Sequence, residues 1–460
     1  MNPKEEFLNQ ASLKAADITH RDKLRFNISK YLAGVAEGKK QYSNLDLARR
    51  KAHAVKWKAI ESLDNYLMEF ERNFLRNGGQ VLWAKDAEEA RNLILGIIEK
   101  HHGRTVVKSK SMATEEIELN AALEAKGIEV AETDLGEFIV QLAGEKPYHI
   151  VTPAMHKSKE DVAKLFHEKL GTPENYTPEQ LTMAAREALR EKYVKADIGI
   201  TGANFIVADA GAIAITENEG NARLTTTFPK VHIALAGIER VLPSINDLAL
   251  FWPLLATYGT GQKLTVYNTL FTGPAKESEA GGPEEMYVIL MDNGRSDILA
   301  DVQLRQAMHC IRCGACLNVC PVYKTIGGHT YGQTYSGPIG SVISPHFAGK
   351  EKAGHLSFAS SLCGACTETC PVKIDLHNLL LYNRNLFNKE GYAGSMEKRV
   401  WKWWRKAMLN RSLMNMASGK MKNFMFKKLF AKAWGNDRNA IIFPHTSFNQ
   451  QWKKQHGRAS

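Results

Sequence analysis

All seven cysteines of this 460-residue chain fall between Cys310 and Cys370, with none in the 309 residues before or the 90 after. A disulfide framework usually spreads an even number of cysteines through a small secreted domain, whereas tight clustering in a long chain points to metal. The first run, Cys310-Ile-Arg-Cys313-Gly-Ala-Cys316-Leu-Asn-Val-Cys320-Pro321, has the spacing C-x2-C-x2-C-x3-C-P. Bacterial ferredoxins hold a [4Fe–4S] cluster with this spacing, and in two-cluster forms the fourth cysteine serves the other cluster. The second run, Cys363-Gly-Ala-Cys366-Thr-Glu-Thr-Cys370-Pro371, repeats the pattern from its second position onward. Structural zinc sites usually present two separated ligand pairs, four ligands in all, and have no need of this spacing twice.

The two-cluster rule assigns Cys310, Cys313, Cys316 and Cys370 to a first cluster. A second cluster is left with Cys320, Cys363 and Cys366, one thiolate short, and the missing position falls on Ser360. A serine oxygen, water or another non-cysteine donor could hold the fourth iron, or the site could take a [3Fe–4S] cluster. The expected cofactors are therefore two [4Fe–4S] clusters, the second open to these alternatives. The segment between the runs contains Gly327-Gly-His-Thr-Tyr-Gly332 and Ser336-Gly-Pro-Ile-Gly340. It reads as a packed loop whose N–H groups point at cluster sulfurs.

The rest of the chain predicts an α/β protein. Residues 1–79 read as a helical region, with apolar positions Ile60, Leu63, Leu67, Phe70 and Phe74 at helical spacing. Over 80–296, helical stretches (Ala87–His101, Thr114–Lys126) alternate with short apolar runs at 105–107, 128–132, 149–151, 198–200, 212–215, 231–235 and 287–290. That alternation is the mark of βαβ units and a mainly parallel sheet. Residues 297–391 are expected to form an α-helical ferredoxin-type two-cluster domain, and 392–460 a basic, Trp-rich helical tail.

Within the α/β region, Asn204, Glu217, Asn221, Arg223 and His232 are candidates for a polar pocket. Arg223 would be the carboxylate anchor, because a guanidinium grips a carboxylate in bidentate fashion; a buried structural ion pair is the competing reading. Glycines around Gly199 and Gly202 do not make a G-x-G-x-x-G fingerprint, so no dinucleotide site is expected. His101-His102 reads as a helix C-terminal pair rather than a metal site.

Charge is concentrated at the end of the chain. From Gly391 onward 15 Lys and Arg face two acids, Glu397 and Asp437, a net +13 within a chain of +11, which leaves −2 for residues 1–390. Five of the eight tryptophans (Trp401, Trp403, Trp404, Trp434, Trp452) interleave with these lysines. The pattern suits docking on an acidic partner or peripheral contact with an anionic membrane surface. No fold motif supports nucleic-acid binding. The N-terminus lacks the basic and apolar regions of a secretory signal, and no apolar run is long enough to span a bilayer. The expected location is cytoplasmic, with the inner face of the membrane as a peripheral option.

The cysteine runs with the Gly327–Gly340 segment, the Ser360-Ser-Leu-Cys-Gly-Ala-Cys366 run, Ile200-Thr-Gly-Ala-Asn204, Thr216-Glu-Asn-Glu-Gly-Asn-Ala-Arg223 and Pro229-Lys-Val-His-Ile233 together resemble the lactate utilization protein B family. The resemblance covers most of the chain. It implies an α/β domain like those of CoA transferases and sugar-phosphate isomerases, in which Glu217 and Glu219 would be candidate nucleophiles. It also implies an electron-transfer component of a system oxidising L-lactate to pyruvate, working beside other lactate utilization subunits rather than as a self-sufficient catalyst. The family commonly lacks the first cysteine of the second run, so Ser360 is no departure from it. The alternative is an enzyme that uses the three-cysteine cluster as a Lewis acid on a hydroxy acid.

Overall fold

The computed structural model describes residues 2–279, 281–392, 394–434 and 439–457. The chain divides into two units, Met1–Phe387 and Asn388–Ser460. In the first, ten strands form two sheets: β1 (Gln80–Ala84), β2 (Thr105–Lys108), β3 (Glu129–Glu132), β4 (Ile198–Gly202), β5 (Phe205–Val207), β6 (Ala212–Glu217), β7 (Val231–Gly237), β8 (Val241–Leu242), β9 (Tyr267–Phe271) and β10 (Glu285–Met291). The larger sheet runs β1-β10-β7-β4-β2-β3 with every pairing parallel. Its central strand β7 is buried at all seven positions, which is why it reads as an unbroken run of small and apolar residues.

The strand order places a switch point between β2 and β4. From β2 the chain steps outward to β3; from β4 it steps the opposite way through β7 to β10. Where neighbouring connections diverge in this manner, a crevice opens at the carboxyl ends of the strands. The smaller sheet, β8-β5-β6-β9, is mixed and stands beside it. The β5–β6 turn needs Gly211 (φ +54°), because a Cβ there would lie 2.4 Å from the backbone of Asn73.

Covering helices begin where the sequence supplies caps. Asp86 accepts the Glu89 N–H at the start of Ala87–Lys100, and Thr177 forms a capping box with Gln180 at the start of Pro178–Lys195. The N-terminal helices do more than precede the sheet. Leu24, Ile28, Ala52 and Ile60 share one core with Leu317, Tyr323, Val342, Leu356 and Leu380, so the first 60 residues help to house the cysteine region.

Two local expectations are corrected. Residues 149–151 form a loop, not a strand: His149 Nδ1 accepts the N–H groups of Val151 and Thr152, and these local bonds replace a ladder. The helix expected over 114–126 is two short ones, Met112–Glu116 and Leu119–Glu124, separated at Glu118 with its φ of 51°. Within the expected helical region 1–79, the apolar positions Ile60 to Phe74 fall on two helices, Leu45–Glu61 and Leu63–Arg76, that part at Ser62.

The second unit contains the helices Ser395–Leu409, Gly419–Met425 and Phe448–His456. Trp401 and Trp404 meet edge to face, and both are exposed, as is Trp403. Asp437 lies outside the described residues. Among the described residues, no helix is long and apolar enough to cross a membrane.

Candidate metal centre and adjoining cavity

The two cysteine runs fold alike because their sequences repeat. Gly314 and Gly364 take left-handed conformations (φ 74° and 83°) and start the short helices Ala315–Val319 and Ala365–Thr369. Arg312 and Leu362, each just before a cysteine, are also left-handed at φ 59° and 55°. The correspondence reaches the position where the sequences differ. The Arg312 N–H donates to Cys310 Sγ (3.4 Å), and the Leu362 N–H donates to Ser360 Oγ (3.1 Å). Ser360 thus holds the same backbone relation in its loop as Cys310 does in the first.

Cys310, Cys313, Cys316 and Cys370 line one small cavity walled by Ile150, Ile311, Ile339, Val372, Ile374 and Leu376. None of the seven cysteines is in a disulfide. Burial pushes the thiols of Cys313 and Cys316 up, and that of Cys370 up to about 12. Backbone N–H groups face these sulfurs, from Ala315 to Cys313, Ile339 to Cys316 and Ile374 to Cys370 (3.3 Å). Dehydrated thiols met by donors are poorly served as neutral groups and well served as thiolates on a metal, so this donor set fits an iron–sulfur cluster.

Cys320, Cys363 and Cys366 form a second group with a different setting. Burial raises Cys320, and raises Cys366 to about 11, with neighbouring cysteine charge adding to both. Cys363 is exposed, and the Ala365 N–H together with the Ser361 hydroxyl draws its thiol below the usual range.

A feature of the N-terminal region that its apolar spacing did not reveal holds the first group in place. On the helix Leu45–Glu61, Arg49 donates from Nε and Nη2 to the Cys370 carbonyl (3.1 and 2.8 Å), and His53 Nδ1 contacts the Val372 carbonyl (3.0 Å). One turn on, the buried Lys56 donates to the carbonyls of Glu239 and Val241 (2.5 and 3.3 Å) in the α/β region. Arg49, His53 and Lys56 recur at helical spacing, a polar stripe beside the apolar one.

Beside the first group lies a larger cavity, about 350 Å³, at the switch point of the parallel sheet. Strand ends line it: Ser109, Lys110 and Ser111 after β2, Gly202 to Asn204 after β4, and Gly237 and Arg240 after β7. Arg312 and Ile150 line both cavities. The inner wall is an ion cluster. Arg295 pairs with Glu116 (2.8 Å) and Glu239 (2.6 Å), while Arg312 reaches Glu239 (3.2 Å) and lies over the Tyr335 ring. Burial alone would raise the Glu239 carboxyl, but Arg295, Arg312 and Arg240 hold it down at about 2. A side chain at Gly237 would strike Glu239 and Arg295, at 2.1 and 2.3 Å, so only glycine leaves room for this cluster.

The LUD domain family matches residues 67–291, and the 4Fe-4S dicluster domain family matches residues 306–374. Lactate utilization protein B of Bacillus licheniformis is 47% identical over 368 residues, covering 80% of this chain and 77% of its own. This chain belongs to the lactate utilization protein B family. The Bacillus subtilis member of the family is 46% identical over 384 residues, covering 83% of this chain and 80% of its own. The matched dicluster domain, in agreement with the cysteine spacing, makes this chain an iron–sulfur protein. A crystal structure of a DUF162 family protein from Deinococcus radiodurans covers 50% of this chain and 98% of its own, at 14% identity and a TM-score of 0.29, too low to carry an argument.

In this family member the α/β candidates separate. Asn204, Glu217, Glu219 and Asn221 line the larger cavity; Arg223 and His232 do not. Arg223 is exposed and lies over the Tyr267 ring. His232 is fully buried against Thr201 Oγ1 (2.8 Å), where desolvation lowers its pKa to about 3. Glu217 accepts the N–H groups of Ala222 and Arg223 and so caps the helix Asn221–Thr227. Beyond Arg295 and Arg312 of the inner wall, the cavity is lined by the cations Lys110 and Arg240. Neither stands in a recognisable motif, and only the positions of the strand ends could have pointed to them.

Proposed function

We propose that this chain is an electron-transfer component of lactate utilization, serving a system that oxidises L-lactate to pyruvate. Cys310, Cys313, Cys316 and Cys370 would hold one [4Fe–4S] cluster. Cys320, Cys363 and Cys366 would hold a second, with Ser360 as candidate fourth ligand. Clusters so held would take up and release single electrons, which lets a two-electron oxidation elsewhere be drained in two steps. The observation that carries the reading is the pair of like loops that bring seven unpaired thiols together, six of them buried or half-buried and only Cys363 exposed.

The protein parts of the relay have distinct roles. The walls of Ile150, Ile311 and Val372 keep water from the first group. The N–H groups of Arg312 and Ile374 offset negative charge on Cys310 and Cys370. The exposure of Cys363 offers an exit to a partner protein. The basic tail, with Trp401, Trp403 and Trp404 exposed, is suited to docking the other lactate utilization subunits; retention on anionic vesicles without those subunits would instead assign it to the membrane surface.

Anaerobically purified protein should contain about eight irons, or about seven if the second cluster has three, with visible absorbance that bleaches on reduction. It should oxidise L-lactate only when partner subunits are added. Turnover by the isolated chain would contradict the relay and favour a catalyst.

A further inference from the structure

We propose that the cavity at the switch point of the parallel sheet is a binding site for a small organic acid, with Arg240 as its carboxylate anchor and Arg312 as the wall through which occupancy is felt at Cys310. The starting observation is a charge imbalance. Three guanidiniums (Arg240, Arg295, Arg312) converge on two carboxylates, Glu116 and Glu239. Arg295 takes up both carboxylates at short range, and Arg312 shares Glu239. Arg240 is left with a contact of 3.8 Å to Glu239, and its guanidinium makes no hydrogen bond among the described residues. Its side chain is only 13% exposed, and the space it borders is this cavity. A guanidinium largely withdrawn from water and held by one long ion pair is under-served, and a carboxylate delivered by a ligand is the natural complement.

The cavity also borders the carboxyls of Asp134, Glu217 and Glu219, each taken up by backbone N–H groups, and the remaining lining fits the rest of such a molecule. Lys110 donates to the Val151 carbonyl (2.7 Å) and has no carboxylate within ion-pair range among the described residues, so a second cation is available for a charged ligand. Ser109, Ser111 and Asn204 stand at neighbouring strand ends and offer partners for a hydroxyl or oxo group. Gly202 keeps the crevice open, since a Cβ there would lie 2.6 Å from Ser111 Oγ. A volume of about 350 Å³ accepts a short acid with its waters or one of several more carbons.

Arg312 gives the site a consequence. It lines both cavities, its backbone N–H donates to Cys310 Sγ, and its side-chain Nε and Nη1 are buried without partners. An anion on the Arg240 side adds negative charge next to the wall of the first cysteine group. A cluster there would then be harder to reduce. The binding claim stands whether or not a cluster is present; only the coupling rests on reading Cys310, Cys313, Cys316 and Cys370 as ligands.

The test is anaerobic calorimetric titration of the whole iron-loaded chain with L-lactate, pyruvate and inorganic phosphate as separate probes. L-lactate or pyruvate should bind at one site, each displacing the other. Arg240→Gln should weaken binding about tenfold or more with iron content and visible spectrum unchanged, and Lys110→Met, from a different strand end, should weaken it less. No binding of either acid, undiminished binding by both variants, or binding of phosphate alone would overturn the proposal. For the coupling, the midpoint potential of the first cluster is measured with and without saturating acid. A negative shift that Arg240→Gln abolishes supports it. An unchanged potential with intact binding overturns the coupling alone. Binding by the iron-free chain with no cluster restored on reconstitution would instead count against the cluster assignment and leave the acid site standing.

Discussion

The two cysteine groups are built from one repeated loop and differ most at a single thiol. Cys313, Cys316, Cys320, Cys366 and Cys370 are buried and Cys310 is half-buried, whereas Cys363 of the second group reaches the surface. Elements distant in sequence reinforce the first group: Arg49 on the Cys370 carbonyl, the loop around Ile150 on its wall, and the Glu239 ion cluster behind Arg312. The second group shares the core through Cys320 and Cys366, and around its loop Arg384 donates to the carbonyls of Ser357 and Ser360. One loop design therefore stands in two settings according to what packs on it: beside the α/β domain at Arg312, and at the surface at Cys363.

The largest effect should come from removing a buried thiol of the first group. Cys316→Ala should lose roughly half of the iron, as one of two clusters goes, and lower the melting temperature markedly, because metal binding and folding are linked where ligands sit in a core. Cys363→Ala should also lose about half of the iron but melt close to the parent. Equal melting temperatures for the two variants would erase the contrast between the groups. Next in size is Arg49→Ala. It removes charge-assisted bonds to the backbone carbonyls of Glu368 and Cys370 from a partly exposed side chain, a loss of about 1–3 kcal/mol. Iron should leave the first cluster faster when a chelator is added, with the second unaffected.

A smaller effect is tied to pH. Desolvation lowers Lys56, buried under Glu239 and Val241, to about 7 from 10.5. Above pH 7 the folded chain releases this proton while the unfolded chain keeps it, so the unfolded state binds more protons and stability rises with pH up to about 10.5. The slope from this one group is at most about 1.4 kcal/mol per pH unit. Denaturant midpoints between pH 7.5 and 9 should therefore rise more steeply in the parent than in Lys56→Met. Parallel curves would show that Lys56 is not the titrating group.

The cysteine spacing made the repeated loops legible, and the alternation of apolar runs made the parallel sheet legible, because both are local signals. The loop at 149–151 was not, since Ile150 faces the cysteine cavity and Val151 the larger one rather than a neighbouring strand. Nor was the carboxylate anchor. Arg223 sits in a polar, glycine-rich run that reads like a site, yet it stacks on Tyr267 at the surface. Arg240 follows an apolar strand and reads as an ordinary boundary charge. Its place is set by the order of strands in the sheet, a long-range property that no window of sequence contains. The same holds for Arg49, whose partner is 321 residues away.

The smallest effect on stability, and the most direct probe of the comparison, is Ser360→Cys. Ser360 Oγ accepts the Leu362 N–H as Cys310 Sγ accepts the Arg312 N–H, and the residues that follow share left-handed conformations in both loops. A thiol at 360 therefore needs no change of backbone, and the melting temperature should stay within about 2 °C of the parent, as expected for a substitution that creates no cavity or strain. The iron should respond instead. If the second group holds three irons, the variant gains about one iron per chain and loses the signal of an oxidised three-iron cluster. If serine oxygen already holds the fourth iron, iron content stays constant and the potential moves, because thiolate is a softer donor than alkoxide. A variant identical to the parent in iron, spectrum and potential would mean that position 360 does not face the open corner. The likeness of the two loops would then be one of backbone alone, and the fourth donor would have to come from outside the repeat.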